Sequence, residues 1–255
     1  QQLKQRREQL KSYPLYPYLI YADLAANLRY SRHAEVSQYL QDYAGTIKAK
    51  HLLNRWLDYL AKRQNWTAFI RFYQPQQAST KQQCQFQLAR YYADPRDPEL
   101  NQRRELALTA ALELWNVGKS QPKQCDKLFA RLIADSRITE ALAWQRFNKA
   151  LLNHQYQLAR YLERFLKSPQ YSKLAKLYYQ ADRSPQSIRQ FAAFTSHSTE
   201  ELDIIQHALV HLARRDSRAS LKYWSHYQQT HEFSHAARSA IVSAIIKGLY
   251  KQGAT

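Results

Sequence analysis

The string HEFSH, His231-Glu232-Phe233-Ser234-His235, matches the H-E-x-x-H pattern. In that pattern two imidazoles one helical turn apart hold zinc, and the glutamate deprotonates a metal-bound water. Such a site needs a third protein ligand, and residues 236–255 contain no His, Asp, Glu or Cys. The preceding polar stretch HYQQT, 226–230, reads as a turn, so the motif straddles a helix boundary and its imidazoles lose their common face. His207 and His211 form a second i, i+4 pair in QHALVHLARR. With no neighbouring Cys or acid in the sequence to complete a tetrahedral shell, they read as surface or groove histidines. Neither pair is read as a metal site, and no cofactor is expected.

The two cysteines admit three readings. Cys84 in KQQCQFQLARYY and Cys125 in QPKQCDKLF both fall early in helical stripes. A helix N-terminus lowers a thiol pKa and favours a nucleophile, but Asp126 beside Cys125 works the other way and neither cysteine has an adjacent histidine. Inert buried thiols are the second reading. A structural disulfide is the third, in an oxidising compartment; closing a loop of that length stabilises by roughly 4 kcal/mol on the chain-entropy account. The acids form no catalytic pair. Glu200 and Glu201 suit the first turn of a helix, while Glu105 and Glu113 stand isolated in a helical stretch. With only Gly45, Gly118, Gly248 and Gly253, no Gly-rich phosphate loop exists. No catalytic residue is therefore expected within this chain.

The elements that would position these groups are helices. Apolar residues recur at helical spacing over 10–15 residues, separated by short polar turns. Residues 139–166 read as a hairpin: Leu142, Trp144, Phe147, Leu151 and Leu152 stripe the first helix, Asn153-His154-Gln155 turns, and Leu158, Tyr161, Leu162 and Phe165 stripe the second. Residues 51–73 turn near Arg63-Gln64-Asn65, and residues 199–228 turn at Arg215-Asp216. Each hairpin has an apolar face it cannot cover alone, so stacking on neighbours is the natural solution. The expected fold is all-α, an irregular, tetratricopeptide-like solenoid or superhelix of stacked antiparallel hairpins; a bundle without a superhelical path is the alternative. Turns at Asp94-Pro95-Arg96-Asp97-Pro98, 118–122 and 167–170 are too short to be linkers, so residues 1–255 read as one domain fragment.

Composition agrees. A hydrophobic share of 45% lets 255 residues bury a core, and few β-branched runs, four Gly and eight Pro favour helix. No apolar stretch reaches the roughly 20 residues of a membrane span, SAIVSAII at 239–246 being broken by serines. The opening residues lack the apolar region of a signal peptide and the first residue is not Met, which reads as a processed or trimmed product. The 38 Lys and Arg against 20 Asp and Glu give a net charge of +18, which calls for an anionic partner or surface. Nucleic acid is not the expected partner. The cations, among them Arg6, Arg7, Lys48, Lys50, Lys62, Arg63, Arg103, Arg104, Arg214 and Arg215, are spread over the whole length, and no nucleic-acid-binding signature occurs.

Two stretches carry a family resemblance. YPLYPYLIYADL, 13–24, with Tyr13-Pro14, Pro17-Tyr18 and Tyr21, resembles the start of the mature soluble lytic murein transglycosylases. ELWNVGKSQPKQCDKLF, 113–129, with Trp115, Gly118, Lys119, Ser120, Gln121, Pro122, Cys125 and Asp126, resembles the most recognisable segment of their N-terminal domain. LAKRQNW at 60–66 and Gln83-Cys84 fall in the matching order. The resemblance covers the first half of the chain specifically, and residues 130–255 match only in helical style.

The resemblance implies a periplasmic bacterial enzyme that cleaves the bond between N-acetylmuramic acid and N-acetylglucosamine in peptidoglycan and leaves a 1,6-anhydromuramyl end. It also implies a U-shaped α-superhelix that joins a linker domain and carries a lysozyme-like catalytic domain whose Glu precedes a Ser. Here no Glu-Ser dipeptide occurs. The chain therefore resembles the superhelical domain without its catalytic partner, a scaffold for peptidoglycan glycan strands and a docking surface for other cell-wall enzymes. On this resemblance a Cys84–Cys125 bridge is the expected state. A free-standing α-solenoid adaptor with a basic surface for an acidic protein is the competing reading.

Overall fold

The structure is a computed structural model that describes residues 10–92 and 98–253. Arg6, Arg7 and all but Pro98 of the turn expected at 94–98 lie outside the described residues. Among the described residues all regular structure is helical: thirteen α-helices, six short 3-10 turns and no strand. The helices are α1 (Tyr16–Ala26), α2 (His33–Asp42), α3 (Ile47–Lys62), α4 (Trp66–Phe72), α5 (Thr80–Tyr91), α6 (Leu100–Trp115) and α7 (Asp126–Ala134). They continue with α8 (Glu140–Leu152), α9 (Tyr156–Leu162), α10 (Pro169–Arg183), α11 (Thr199–Arg215), α12 (Ser217–Thr230) and α13 (His235–Lys251). None is long and apolar enough to cross a membrane. The chain forms two compact units. One comprises the chain up to Leu114 with Gln121–Leu132; the other comprises Trp115–Ser120 with the chain from Ile133 onward.

All three hairpins read from periodicity are present: α3–α4, α8–α9 and α11–α12. The first two share one turn chemistry. Gln64 and His154 adopt left-handed φ values of 55° and 56°. The next residue then donates its amide five residues back, Asn65 to Leu60 at 3.0 Å and Gln155 to Ala150 at 2.8 Å, which closes a Schellman motif. Glycine is the usual residue at that position, so composition alone conceals these stops.

The core of the first unit is the apolar stripe of α3, Ala49, Leu52, Leu53, Trp56, Leu57 and Leu60, packed with Leu24, Val36, Tyr39 and Phe69. Its helices begin on side-chain caps: Thr46 accepts from the Ala49 amide, and Ser79 with Gln82 forms a reciprocal capping box. Arg32 binds Asp23 at 2.6 Å and Glu35 at 2.7 Å, tying α1 to α2.

In the second unit α11 is central and packs against α10, α12 and α13. Ile204, Ile205, Ala208, Leu209, Leu212 and Ala213 of α11 are all buried. Gly248 lets α13 approach it: a Cβ there would stand 2.2 Å from the Ala213 carbonyl oxygen. Ser198 caps α11 by accepting from the Glu201 amide, and the buried Glu201 carboxylate accepts from the Ser196 and His197 amides. Glu201 is thus helix-start chemistry, as its position predicts.

Candidate functional site

HEFSH does not assemble. HYQQT is not the expected turn: Tyr227 is buried, and the segment completes α12, which runs to Thr230. The chain leaves helical geometry at His231 and re-enters at His235, the first residue of α13 after the Ser234 cap. The motif therefore straddles two helices, one boundary later than the polar residues suggest. His231 is buried, 3.3 Å from Glu201 Oε1 and 2.8 Å from Thr230 Oγ1, while Glu232 and His235 are exposed.

His207 and His211 behave otherwise. His207 is buried and not on the surface; its Nε2 lies 2.8 Å from Asp182 Oδ1, whose side chain is also enclosed. The acid missing from the sequence neighbourhood thus arrives from α10, 25 residues upstream, when α10 packs on α11. The two imidazole rings stand 4.2 Å apart, and one donor atom from each of Asp182, His207 and His211 lies within 4.8 Å of the others. His154, at the left-handed turn before α9, brings a third ring 6.1 Å from that of His211. Burial holds the His207 imidazole below its usual pKa against the opposing pull of Asp182. The same desolvation, with His207 next to it, takes His211 down to about 4. That lowering favours the neutral His207 imidazole in its hydrogen bond with Asp182.

The cysteines are joined: Cys84 of α5 and Cys125 of the 3-10 turn before α7 form a disulfide with Cα atoms 5.0 Å apart, so neither is a nucleophile. Upstream in the same segment, residues 116–118 lie along α8. Asn116 donates to Gln145 Oε1 at 2.9 Å, Lys149 Nζ donates to the Asn116 carbonyl at 2.9 Å, and Arg146 Nε donates to the Val117 carbonyl at 3.2 Å. Arg146 is buried, its guanidinium 4.5 Å from the centre of the Trp115 ring, and desolvation lowers its pKa to about 10. A buried arginine in the α8 stripe has no signature in periodicity.

A cleft of about 580 Å³ runs beside α13 in the second unit. Ala240, Ala244 and Gly248, four residues apart, line it with small residues, and Arg214, Lys247 and Lys251 reach it together with Ser243 and Gln252. Its lining includes three cations and no acid. The arrangement suits a carboxylate-bearing ligand held by charge and hydrogen bonds.

No protein-family model matches the chain. It is 26% identical over 208 residues to soluble lytic murein transglycosylases of Salmonella typhimurium and Escherichia coli K12, covering 82% of this chain and 31% of each relative. The chain thus spans about a third of the length of these relatives. Among solved structures, an inactive variant of lytic transglycosylase Slt from Pseudomonas aeruginosa superposes on 98% of this chain and 39% of its own, at 28% identity and a TM-score of 0.80. The 70-kDa soluble lytic transglycosylase of E. coli superposes on 96% of this chain and 38% of its own, at 24% identity and a TM-score of 0.71. The resemblance read from 13–24 and 113–129 is thereby extended over both units.

Proposed function

We propose that this chain is the superhelical, non-catalytic domain of a soluble lytic transglycosylase, a scaffold that holds peptidoglycan strands in the periplasm. A lysozyme-like domain elsewhere in the enzyme would cleave the MurNAc–GlcNAc bond to a 1,6-anhydromuramyl end. The observation that carries this reading is the likeness to Slt over 98% of the chain, which takes up only 39% of that protein. Charge and chemistry support it. Peptide stems of peptidoglycan end in carboxylates, the net charge of +18 attracts them, and the cleft at Arg214, Lys247 and Lys251 offers a place where one could sit. The Cys84–Cys125 bridge suits an oxidising compartment.

The test is co-sedimentation of the purified chain with murein sacculi over a salt series, with chromatography of the supernatant for anhydro-muropeptides. Binding at low salt that weakens as salt rises, without product, is expected, because exposed charges are screened within about 8 Å at physiological ionic strength. Failure to bind at low salt, or release of anhydro-muropeptides, overturns the reading. A stoichiometric acidic protein captured without sacculus binding would select the adaptor reading.

A further inference from the structure

The cluster of Asp182, His207 and His211 has no part in that proposal, and its donor set is one that metals use. Two imidazole nitrogens and a carboxylate oxygen make a borderline-soft set suited to zinc and its neighbours and unsuited to magnesium or calcium, which take all-oxygen shells. The donors come from two helices and converge within 4.8 Å. The His207 and Asp182 side chains are 1% and 6% exposed, so their convergence is a feature of the packed interior. A partly open side remains at His211, which is half-buried, and at the exposed His154.

We propose that Asp182, His207 and His211 bind one divalent cation of the zinc class, tying α10 to α11. The change on binding balances simply. Neutral His207 and Asp182 share one proton across the 2.8 Å contact. The cation takes that proton's place at Nε2, the ring keeps its one proton by carrying it on Nδ1 and stays neutral, and the two atoms separate to roughly 3.3 Å, the edge of a tetrahedron with ligand bonds of about 2.0–2.1 Å. His211 adds the third bond, and water completes four. Arg214, which also faces these imidazoles, opposes the cation's charge and keeps the affinity below that of a dedicated zinc structure. The second unit contains neither cysteine, so a metal here would staple it as the disulfide staples the first.

The test is calorimetric titration of the chelator-treated chain with ZnCl₂, beside the variants H211A, D182N and H235A. Uptake of one equivalent is expected, weakened at least about tenfold by H211A and by D182N, and unchanged by H235A, which removes an imidazole of HEFSH. Zinc should also raise the melting temperature while magnesium does not. Equal affinity in H211A and the unaltered chain, or loss of uptake in H235A alone, overturns the proposal. Should the variants fail to fold, cobalt titration of the unaltered chain decides it: the visible band of nitrogen-ligated tetrahedral cobalt is expected, and its absence sinks the site.

Discussion

Gly118 lies so close to α8 that a Cβ added to it would stand 2.3 Å from the carbonyl oxygen of Lys149, and equally close to Asn153 Nδ2. The amide nitrogen could swing away; the helical carbonyl could not, because it belongs to the last turn of α8 and accepts from the Asn153 amide. Gly118 is therefore present for close approach and not for a left-handed backbone. G118A should destabilise the chain by about 1–3 kcal/mol, the range of core overpacking, read as a lowered urea midpoint with unchanged slope. G45A is the contrasting case. Space around Gly45 is open, but its φ of +80° is strained for any L side chain, so its cost is expected near 1 kcal/mol. If G45A proves the more harmful, the close-approach account fails.

The disulfide bridges residues 41 apart in sequence, from the interior of α5 to the turn that starts α7. Opening it restores that loop's freedom to the unfolded chain. C84S/C125S, or reduction of the unaltered chain, should lower unfolding free energy by about 4 kcal/mol on the chain-entropy account. Equilibrium unfolding with and without reductant measures this, and reductant should leave the double variant unmoved. A difference below about 1 kcal/mol would mean that packing around α5 already confines the loop.

Glu140, at the first turn of α8, accepts a hydrogen bond from the Ser168 amide at 2.6 Å, and chiefly that bond holds its carboxyl below the usual carboxylate value. A carboxyl whose pKa is lowered by folding adds stability that is fully present above its unfolded value, near 4.5. That stability is lost as pH falls through the lower folded value. Denaturation midpoints should therefore fall as pH drops below about 5, and E140Q should fall less steeply over the same range. Identical pH slopes for the two proteins would remove Glu140 from this role. Other carboxylates titrate too, so the difference between the two slopes carries the result.

Much of this architecture is local and legible in the sequence. The apolar stripes of 51–73, 139–166 and 199–228 specify helices by their own 3.6-residue spacing, and short polar breaks force each pair antiparallel. Glu200 and Glu201 announce a helix start because capping acts within one turn. The end of α12 is hidden in the sequence for a related reason. His226, Gln228 and Gln229 are polar, and only the burial of Tyr227 against the 3-10 turn at Pro185–Arg189, where its hydroxyl donates to the Ile188 carbonyl at 2.7 Å, favours carrying the helix on.

By itself the sequence determined the helical class, the hairpins, the excess of positive charge and the presence of two cysteines. Tertiary structure alone decided that Asp182 completes the His207–His211 pair, that Arg146 lies buried on Trp115, and that Gly118 is needed where α8 passes. The physical reason is range. Periodicity and caps act over one or two turns of chain. Meetings between residues 25 to 31 positions apart depend instead on how whole helices cross, which is set by the sum of many side-chain volumes in the core.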